Sequence, residues 1–353
     1  MSRVAITGIA GQDGTYLARL LLREGCEISG LLQFPFDREE PALRRRFSPK
    51  EFKAVHWHSG SLEDPFSLVR FLKAARPAEI YHLAGLTDSR QSFLVPEESV
   101  LAITMGTLRL LEAAREICPD ARIFLASSSE VFGAPSEAPQ DENTPRLPVS
   151  PYGIAKVAAD HFARLHREQY GQFVSVGILY NHESSLRPPN YLTNRVARAV
   201  AAIKQGRANE LELGDLSAER DWSDARDFVR GFRLCLRAKA PGDFVFASGV
   251  SRRVEELVAC AFKAADLDYR KYVRKRSEDH ETTRQRDHRT TRPQDYRASR
   301  PASLCGNPKK AKTELGWKPA WTFDQTIADL VNAELEDRPD LERSDPAPKH
   351  RAA

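Results

Sequence analysis

A glycine-rich turn close to the N-terminus is the feature that most constrains how this chain can fold. Glycines stand at positions 8, 11 and 14, directly after the apolar run Val4–Thr7 and before a helical pattern that contains Leu17 and Leu21. Glycine allows a tight turn and a close approach of the backbone to a pyrophosphate, whose charge the N-terminus of a helix stabilises. A glycine trio alone is a weak signal, but its place between a strand and a helix predicts a dinucleotide-binding unit.

Short apolar runs alternate with helical patterns through the first half of the chain, an order typical of a parallel sheet. The runs predict six strands, at Val4–Thr7, Glu27–Leu32, Ala54–His58, Glu79–Leu83, Arg122–Ala126 and Val174–Leu179. Beyond about residue 182, prolines and glycines divide the sequence into shorter pieces. The predicted fold is therefore α/β: a Rossmann-type doubly wound parallel sheet with a smaller C-terminal substrate-binding lobe.

The length of 353 residues allows a large core with an additional lobe. We expect residues 1–180 to form the dinucleotide-binding domain that carries the catalytic residues. Residues 181–338 are expected to form mainly the substrate-binding lobe, with some segments returning to the main domain, and the charged tail 339–353 to be disordered. The arginine-rich stretch 270–300 is either a solvated loop or a lid that supplies cations to a diphosphate.

Charge and cysteine content exclude several classes of function. The formal net charge is +4, from 53 basic and 49 acidic residues, and this mild balance does not predict nucleic-acid binding. The five cysteines are scattered without metal-ligand spacing, so we expect reduced thiols and no metal site. The sequence begins with a strand rather than a signal peptide and has no apolar stretch of roughly 20 residues, which predicts a cytoplasmic protein without a membrane partner.

A tyrosine and a lysine one helical turn apart, Tyr152 and Lys156, follow the proline-rich stretch 134–151. A free tyrosine titrates near pH 10 and is a poor base at neutral pH. A neighbouring ammonium and an oxidised nicotinamide ring both favour the phenolate and lower that pKa. The spacing is also common on ordinary helix surfaces, but behind a glycine-rich site it predicts a pair for proton transfer.

Two polar residues, Ser128 and Glu130, follow the fifth predicted strand. Open α/β sheets bind their ligands at the carboxyl ends of the strands. Ser128 can hydrogen-bond the sugar oxygen that Tyr152 deprotonates. Glu130 has no part in simple hydride transfer but suits the removal of an acidic C–H proton beside a newly formed ketone. The alternative for Glu130 is a structural contact in a helix cap or loop.

Several segments resemble the extended short-chain dehydrogenase/reductase family, and within it most closely the GDP-mannose 4,6-dehydratase family. The resemblance runs from Val4 to about Leu330 and is carried by residues 7–17, 106–111, 127–130, 177–184, 220–222 and 310–317. It implies a redox-neutral dehydration, in which Tyr152 promotes oxidation at C4 of a hexose. Glu130, assisted by Ser128, would then remove the C5 proton and help expel the C6 hydroxyl as water, before hydride returns to C6.

The resemblance also implies which residues bind the ligands. Besides Tyr152 and Lys156, the implied cofactor contacts are Gly8, Gly11, Gln12, Asp13, Gly14, Ser61, Leu62, Leu83, Ala84, Gly85, Thr87, His182 and Arg187. The implied substrate contacts are Ser128, Asn181, Arg220 and Arg300. Judged by residue type alone, His182 is equally compatible with a core histidine.

Other positions depart from the family pattern. Gln33 and Phe34 replace the arginines expected after the second strand, and Ser61 replaces an acid expected to contact adenine. NADP is the cofactor that the family implies, and these changes make NAD the alternative; Arg38 and residues 44–46 can reach a phosphate or form ordinary surface charge. Residues 86–88, Leu-Thr-Asp, replace a Gln-Ser-His segment, and Ser303 replaces a glutamate.

The sequence therefore predicts a nucleotide-sugar 4,6-dehydratase acting on GDP-mannose or a related GDP-sugar. An epimerase, or a 4,6-dehydratase for another nucleotide sugar, is the alternative enzyme. A non-enzymatic dinucleotide-binding protein is disfavoured because Tyr152 and Lys156 are both present. The resemblance further implies a homodimer or homotetramer.

Overall fold

The computed structural model describes residues 2–33, 36–275 and 303–336. At its centre lies a sheet of seven strands in which all neighbouring pairs are parallel. The strands are β1 Arg3–Thr7, β2 Glu27–Leu32, β3 Val55–Ser59, β4 Glu79–His82, β5 Arg122–Ala126, β6 Val174–Leu179 and β10 Asp243–Phe246. Their spatial order is β10–β6–β5–β4–β1–β2–β3, which confirms the predicted doubly wound α/β fold.

Helices cover both faces of the sheet, as the alternation of strand side chains requires. Val4 and Ile6 pack on one face and Ala5 on the other. Helices α1 and α9 contribute to the first layer, and helices α4, α6 and α7 to the second. The helices up to α9 on this body are α1 Gln12–Arg23, α2 Phe36–Arg46, α3 Pro49–Ala54, α4 Pro65–Ala75, α5 Pro96–Val100, α6 Gly106–Ile117, α7 Pro151–Gln169 and α9 Ala225–Arg237. A π-helical turn, Leu101–Met105, precedes α6, and single 3₁₀ turns lie at Gln91–Phe93 and Ser129–Phe132.

The edge strand β10 was not among the predicted strands. It is only four residues long and directly follows Pro241 and Gly242, so the sequence pattern there indicates a break rather than a strand. In the structure it extends the sheet by pairing with β6, while α9 packs against α1. The stretch 225–246 therefore returns to the main sheet.

A smaller lobe follows β6 and lies beyond the carboxyl ends of the strands. It contains a four-stranded sheet and a two-stranded pair, built from β7 Asn181–Glu183, β8 Leu211–Leu213, β9 Glu219–Asp224, β11 Ser251–Arg253, β12 Val273–Lys275 and β13 Ser303–Leu304. Its further helices are α8 Leu192–Lys204, α10 Val254–Ala264, α11 Tyr269–Tyr272, α12 Lys309–Glu314 and α13 Phe323–Leu335. Val200, Val258 and Val331 join α8, α10 and α13 in a separate apolar cluster.

Asp221 fixes this lobe to the main sheet. Its buried carboxylate accepts hydrogen bonds from the backbone N–H groups of Ser248 (2.8 Å), Gly249 (3.0 Å) and Gly306 (3.2 Å). Strand β9 is thereby held against the turn that follows β10, because a buried carboxylate must have its oxygens satisfied. The middle residue of the Arg-Asp-Trp segment 220–222 thus has a structural task.

Some predictions fall on positions that the structure does not describe. Phe34, Arg300, the tail 339–353 and residues 276–300 of the arginine-rich stretch lie outside the described residues. Within 2–33, 36–275 and 303–336, no helix has both the length and the apolar character needed to cross a bilayer.

Candidate active site

The glycine-rich turn between β1 and α1 is packed too closely for larger residues. Gly8 has φ +75°, and a Cβ there would lie 2.7 Å from the backbone nitrogen of Ala84. A Cβ on Gly14 would lie 2.3 Å from the Gly8 carbonyl oxygen. The turn therefore needs glycine at both positions and brings the backbone after β4, Leu83 to Gly85, beside the N-terminus of α1. A backbone cradle at a helix N-terminus suits the pyrophosphate of a dinucleotide.

A hydrogen-bonded network ties the first turn of α1 to the start of the smaller lobe. The Asp13 carboxylate lies 2.9 Å from Nε2 of His182, whose Nδ1 lies 2.7 Å from the Tyr180 carbonyl oxygen. Gln12 donates to the His182 carbonyl oxygen (3.1 Å) and accepts from the Ser184 hydroxyl (2.7 Å). The His182 ring also stacks on Phe228, with 4.4 Å between ring centroids.

The charges of this pair reinforce each other. Burial raises the pKa of the Asp13 carboxyl, but His182, Gln12 and Arg187 together outweigh burial and the net pKa is lowered. Burial lowers the pKa of His182, and here Asp13 outweighs it, so the net pKa is raised. Both ring nitrogens of His182 face acceptors, which suits an imidazolium. His182 thus makes the contacts of a histidine packed in the protein, with Phe228, Tyr180 and Asp13. Its contact with Asp13 also places it beside the glycine turn.

A second bridge joins the loop after β4 to the smaller lobe, through a residue, Tyr191, that no sequence motif indicates. The hydroxyl groups of Thr87 and Tyr191 lie 2.9 Å apart, although 104 positions separate the residues. The Arg187 guanidinium lies over the Tyr191 ring, 4.1 Å from its centroid, and donates to the His182 carbonyl oxygen at 2.7 Å. Tyr191 therefore contacts both Thr87 and Arg187, two of the predicted cofactor contacts.

The residues predicted to react lie where β5 ends and α7 begins. Ser128 caps the 3₁₀ turn that carries Glu130, accepting a hydrogen bond from the Glu130 N–H at 3.2 Å. Ser150 caps α7 in the same way through Gly153, and the Tyr152 N–H donates to the Ser92 hydroxyl at 3.1 Å. These caps fix the backbone of both segments, so the positions of Ser128 and Tyr152 are set by local structure.

The environment of Tyr152 explains why it needs help to act as a base. Burial raises the pKa of the phenol, and the nearby Glu130 carboxylate raises it further. A hydrogen bond from Ser128 and the positive charge of Arg187 oppose these effects. The Lys156 ammonium lies 5.8 Å from the centre of the Tyr152 ring. Ser128 and Glu130 thus both lie near enough to Tyr152 to affect its pKa.

Lys156 is buried against the end of β5. Its Nζ donates to the Ala126 carbonyl oxygen at 2.7 Å. Burial lowers the pKa of Lys156 to about 8, and Asp160 opposes the shift. On the neighbouring strand β4, burial lowers the pKa of His82 to about 3, with Lys156 adding to the effect. His82 is therefore neutral, held between the hydroxyl groups of Thr7 (2.7 Å) and Thr107 (3.2 Å).

Four of the remaining predicted contacts lie in the loop after β3 and on two strands of the smaller lobe. Ser61 follows β3, and its hydroxyl accepts from the Glu63 N–H at 3.1 Å, while the Leu62 carbonyl oxygen accepts from Arg109 at 3.2 Å. Asn181 and Arg220 lie on the adjacent strands β7 and β9. Both strands belong to the four-stranded sheet of the smaller lobe.

A family model described as GDP-mannose 4,6 dehydratase matches residues 5–330. The chain belongs to the GDP-mannose 4,6-dehydratase family. A GDP-mannose 4,6-dehydratase from Sinorhizobium fredii (strain HH103) is 36% identical over 339 residues, covering 94% of this chain and 95% of that protein. A GDP-mannose 4,6 dehydratase from Arabidopsis thaliana is 35% identical, covering 94% and 89%.

Solved structures share the fold at lower identity. A dTDP-glucose 4,6-dehydratase, DesIV from Streptomyces venezuelae with NAD and TYD bound, superposes with a TM-score of 0.77 at 23% identity and covers 96% of this chain and 99% of that one. RMD from Pseudomonas aeruginosa complexed with NADPH gives 0.76 at 22%, with 96% and 99% covered. These likenesses support the doubly wound fold of this dehydratase family member.

The pKa values of the two histidines near the site, His182 and His82, are expected to be shifted in opposite directions. In a pH titration followed by NMR, His182 should titrate above its usual value of 6.5, and Asp13→Asn should bring its pKa down because the attracting charge is lost. His82 should stay neutral down to about pH 3 in both proteins and serves as the internal control. An unchanged His182 titration in Asp13→Asn would show that the ion pair does not set its charge.

Proposed function

We propose that the protein is a nucleotide-sugar 4,6-dehydratase that converts GDP-mannose, or a closely related GDP-sugar, into the 4-keto-6-deoxy sugar. The observation that carries this proposal is the placement of Glu130 close enough to Tyr152 to raise its pKa. Hydride transfer alone does not need a second acid–base group at this distance. Elimination does, because a proton must leave carbon and water must depart.

The chain's own groups divide the chemistry between them. A nicotinamide dinucleotide, held by the glycine turn and Lys156, supplies a hydride acceptor that later returns the hydride. Tyr152 accepts the proton of the C4 hydroxyl as that carbon becomes a ketone. Glu130 then takes the C5 proton and passes a proton to the C6 hydroxyl, which leaves as water with Ser128 assisting. The resulting C5–C6 double bond accepts the hydride at C6 and a proton, from Tyr152 or from solvent, at C5. The reaction is redox-neutral because the hydride that leaves C4 returns to C6.

The buried phenol needs positive charge nearby before it can accept that proton. Burial alone favours the neutral phenol, so in the free chain Tyr152 is a weak acid. Lys156, Arg187 and the charge of an oxidised nicotinamide all favour the phenolate. This arrangement restricts the base to the state in which the oxidised cofactor is bound.

Incubation with a panel of GDP-, UDP-, CDP- and dTDP-sugars in deuterated buffer tests the function, with mass spectrometry as the readout. Loss of water with one deuterium at C5 identifies a 4,6-dehydratase, because the C5 proton exchanges through the enzyme base. Isomerisation at C4 without deuterium uptake identifies the alternative, an epimerase. Loss of water from a sugar nucleotide other than a GDP-sugar would confirm the proposed reaction but contradict the proposed substrate.

Glu130→Gln should separate oxidation from elimination. The amide cannot accept the C5 proton, so we expect turnover to fall by about 10²-fold or more while reduced cofactor or a 4-keto sugar accumulates. Stopped-flow absorbance of the reduced nicotinamide measures this directly. Tyr152→Phe is the matched control, since it should block cofactor reduction itself. If Glu130→Gln also stops before cofactor reduction, Glu130 does not act at the elimination step.

We further propose NADP as the cofactor. An arginine at the end of α2 supports this proposal. Arg46 donates to the Ala10 carbonyl oxygen of the glycine turn, and its own carbonyl oxygen accepts from Arg19 of α1. A guanidinium at this turn is suited to a ribose phosphate. No carboxylate is supplied by Gln33 or Ser61 to select the unphosphorylated ribose of NAD.

Arg46→Ala should therefore change cofactor preference. We expect the affinity for NADPH to fall by about tenfold or more, as for the loss of a charge-assisted hydrogen bond, with that for NADH little changed. Fluorescence titration of both reduced cofactors gives the ratio. Arg45→Ala, an exposed neighbour on the same helix, is the control. Equal losses for the two cofactors would assign Arg46 to folding of the turn instead of phosphate binding.

A homodimer is proposed from the outer face of α7. Ile154 and Leu165 on this helix and Leu101 beside it are exposed, at 54%, 40% and 36%. Contiguous exposed apolar side chains on packed helices are typical of an interface between subunits. The neighbouring helix α6 lies against α7, so two copies can pack as a helical layer.

Ile154→Asp should dissociate the dimer, because a charge would be buried without a partner. Light scattering coupled to gel filtration should then report half the wild-type mass. Phe66→Asp, which changes a 73% exposed side chain on α4, is the control and should leave the mass unchanged. A wild-type mass of one chain would contradict the proposed dimer.

A further inference from the structure

One buried acid beside the reacting groups has no part in the chemistry described above. Asp160 lies one helical turn beyond Lys156 on α7 and is 3% exposed. Its Oδ2 accepts a hydrogen bond from the Ser127 hydroxyl at 2.7 Å and forms an ion pair with Arg146. Its Oδ1 is buried and has no hydrogen-bond partner among the residues that the structure describes.

The hydrogen bond to Ser127 reaches the segment on which the site is built. Ser127 stands between Ala126, whose carbonyl oxygen holds the Lys156 ammonium at 2.7 Å, and Ser128, which contacts Tyr152. Helix α7 and the end of β5 are therefore joined at two adjacent positions. Movement of Ser127 would displace the lysine's acceptor and the serine next to the phenol together.

The charges around this pair come from four elements. Lys156 faces Ala126 on β5, His82 on β4, and Tyr152 and Asp160 on its own helix. Asp160 faces Ser127, Arg146, Lys156 and, through Arg146, the Asp243 carboxylate of β10. Asp243 is in turn paired with Arg164 and Arg167. His82 is neutral and carries no charge toward Lys156. Asp160 is the acid on α7 whose charge favours the ammonium form of Lys156.

We propose that Asp160 is a positioning residue of the active site, which holds the Ser127–Glu130 segment through Ser127 and keeps Lys156 in its charged form. The proposal rests on the proposed function, in which Lys156 acts as an ammonium. Arg146 takes part by holding the carboxylate in place. Neither residue contacts the sugar in this proposal, and both act through neighbours.

The ionised form of Asp160 is disfavoured by burial, and this bears on its role. Burial raises the pKa of Asp160 to about 6, so the folded chain binds this proton more tightly than the unfolded chain does. The corresponding stability is present below the unfolded pKa of about 4 and is lost as pH rises through about 6. At neutral pH the ionised carboxylate therefore costs stability. The charge nevertheless pairs with Arg146 and favours the ammonium of Lys156, which an uncharged side chain of the same shape would not do.

Asp160→Asn tests the proposal because it removes the charge and preserves the shape. The pH dependence of NADPH and NADH binding is measured without sugar, followed by the pH dependence of kcat with the active nucleotide sugar. We expect the alkaline limb, set by Lys156 near pH 8, to move down by about one pH unit. The difference from wild type should shrink below about pH 6, where Asp160 is itself protonated. The melting temperature is measured alongside, because the same change removes a partner of Arg146.

Two further variants separate the two parts of the proposal. Ser127→Ala breaks the hydrogen bond but keeps the charge, so kcat should fall by about tenfold without movement of the alkaline limb. Asp243→Asn removes a carboxylate from the same arginine but leaves Asp160 in place, and should not move the limb downward. This variant controls for general disturbance of the ion-pair cluster.

An unchanged alkaline limb in Asp160→Asn would overturn the proposal. So would an equal downward movement in Asp243→Asn, or a loss of activity that only follows a loss of melting temperature. Cofactor binding requires no turnover, so a wild-type chain that dehydrates no sugar would refute the proposed function separately. The shift of the binding limb would still decide the role of Asp160.

Discussion

The contact between Gly8 and the backbone after β4 determines where the rest of the site can lie. Strand β1 has β2 on one side and β4 on the other, so the chain order reverses here and the two adjoining loops diverge. The Gly8 turn fills the bottom of the resulting opening, leaving 2.7 Å between Ala84 N and the position of a Cβ. Because Gly8 has no side chain, the N-terminus of α1 and the backbone after β4 lie close together and can form the cradle for the cofactor. Asp13 then fixes His182 from the same helix, which places the start of the smaller lobe at the opening.

Burial works against the charged form of nearly every group in this centre. It raises the pKa of Tyr152 and of Asp160 and lowers those of Lys156 and His82. The chain thus accepts a cost in stability where its chemistry takes place, as is common for active sites. What offsets this cost is a small set of opposite charges and backbone acceptors. The proton transfers are consequently controlled by which partners are present, more than by the ordinary pKa values of the residues.

Prediction from sequence succeeded where the signal is local. Six strands were expected within one or two residues of their observed bounds, because apolar runs between turn residues report burial directly. The Ser128–Glu130 and Tyr152–Lys156 segments follow from a strand end and a helix start. The seventh strand was missed because the parallel partner that makes Asp243–Phe246 a strand lies far away in sequence. The sequence did not predict roles for Tyr191 and Asp160 for the same reason. Their contacts with Thr87 and Arg146 depend on tertiary structure.

The segment 86–88, which departs from the family pattern, has its polar groups engaged within the protein. The Asp88 carboxylate accepts a hydrogen bond from the Arg90 N–H at 2.9 Å and so closes its own turn. Thr87 is held by Tyr191, which brings a phenol from the smaller lobe over this loop. The shape of this loop is therefore determined both by its own turn and by a contact with the smaller lobe. Its position depends on the Thr87–Tyr191 bridge to the smaller lobe, a contact between residues 104 positions apart.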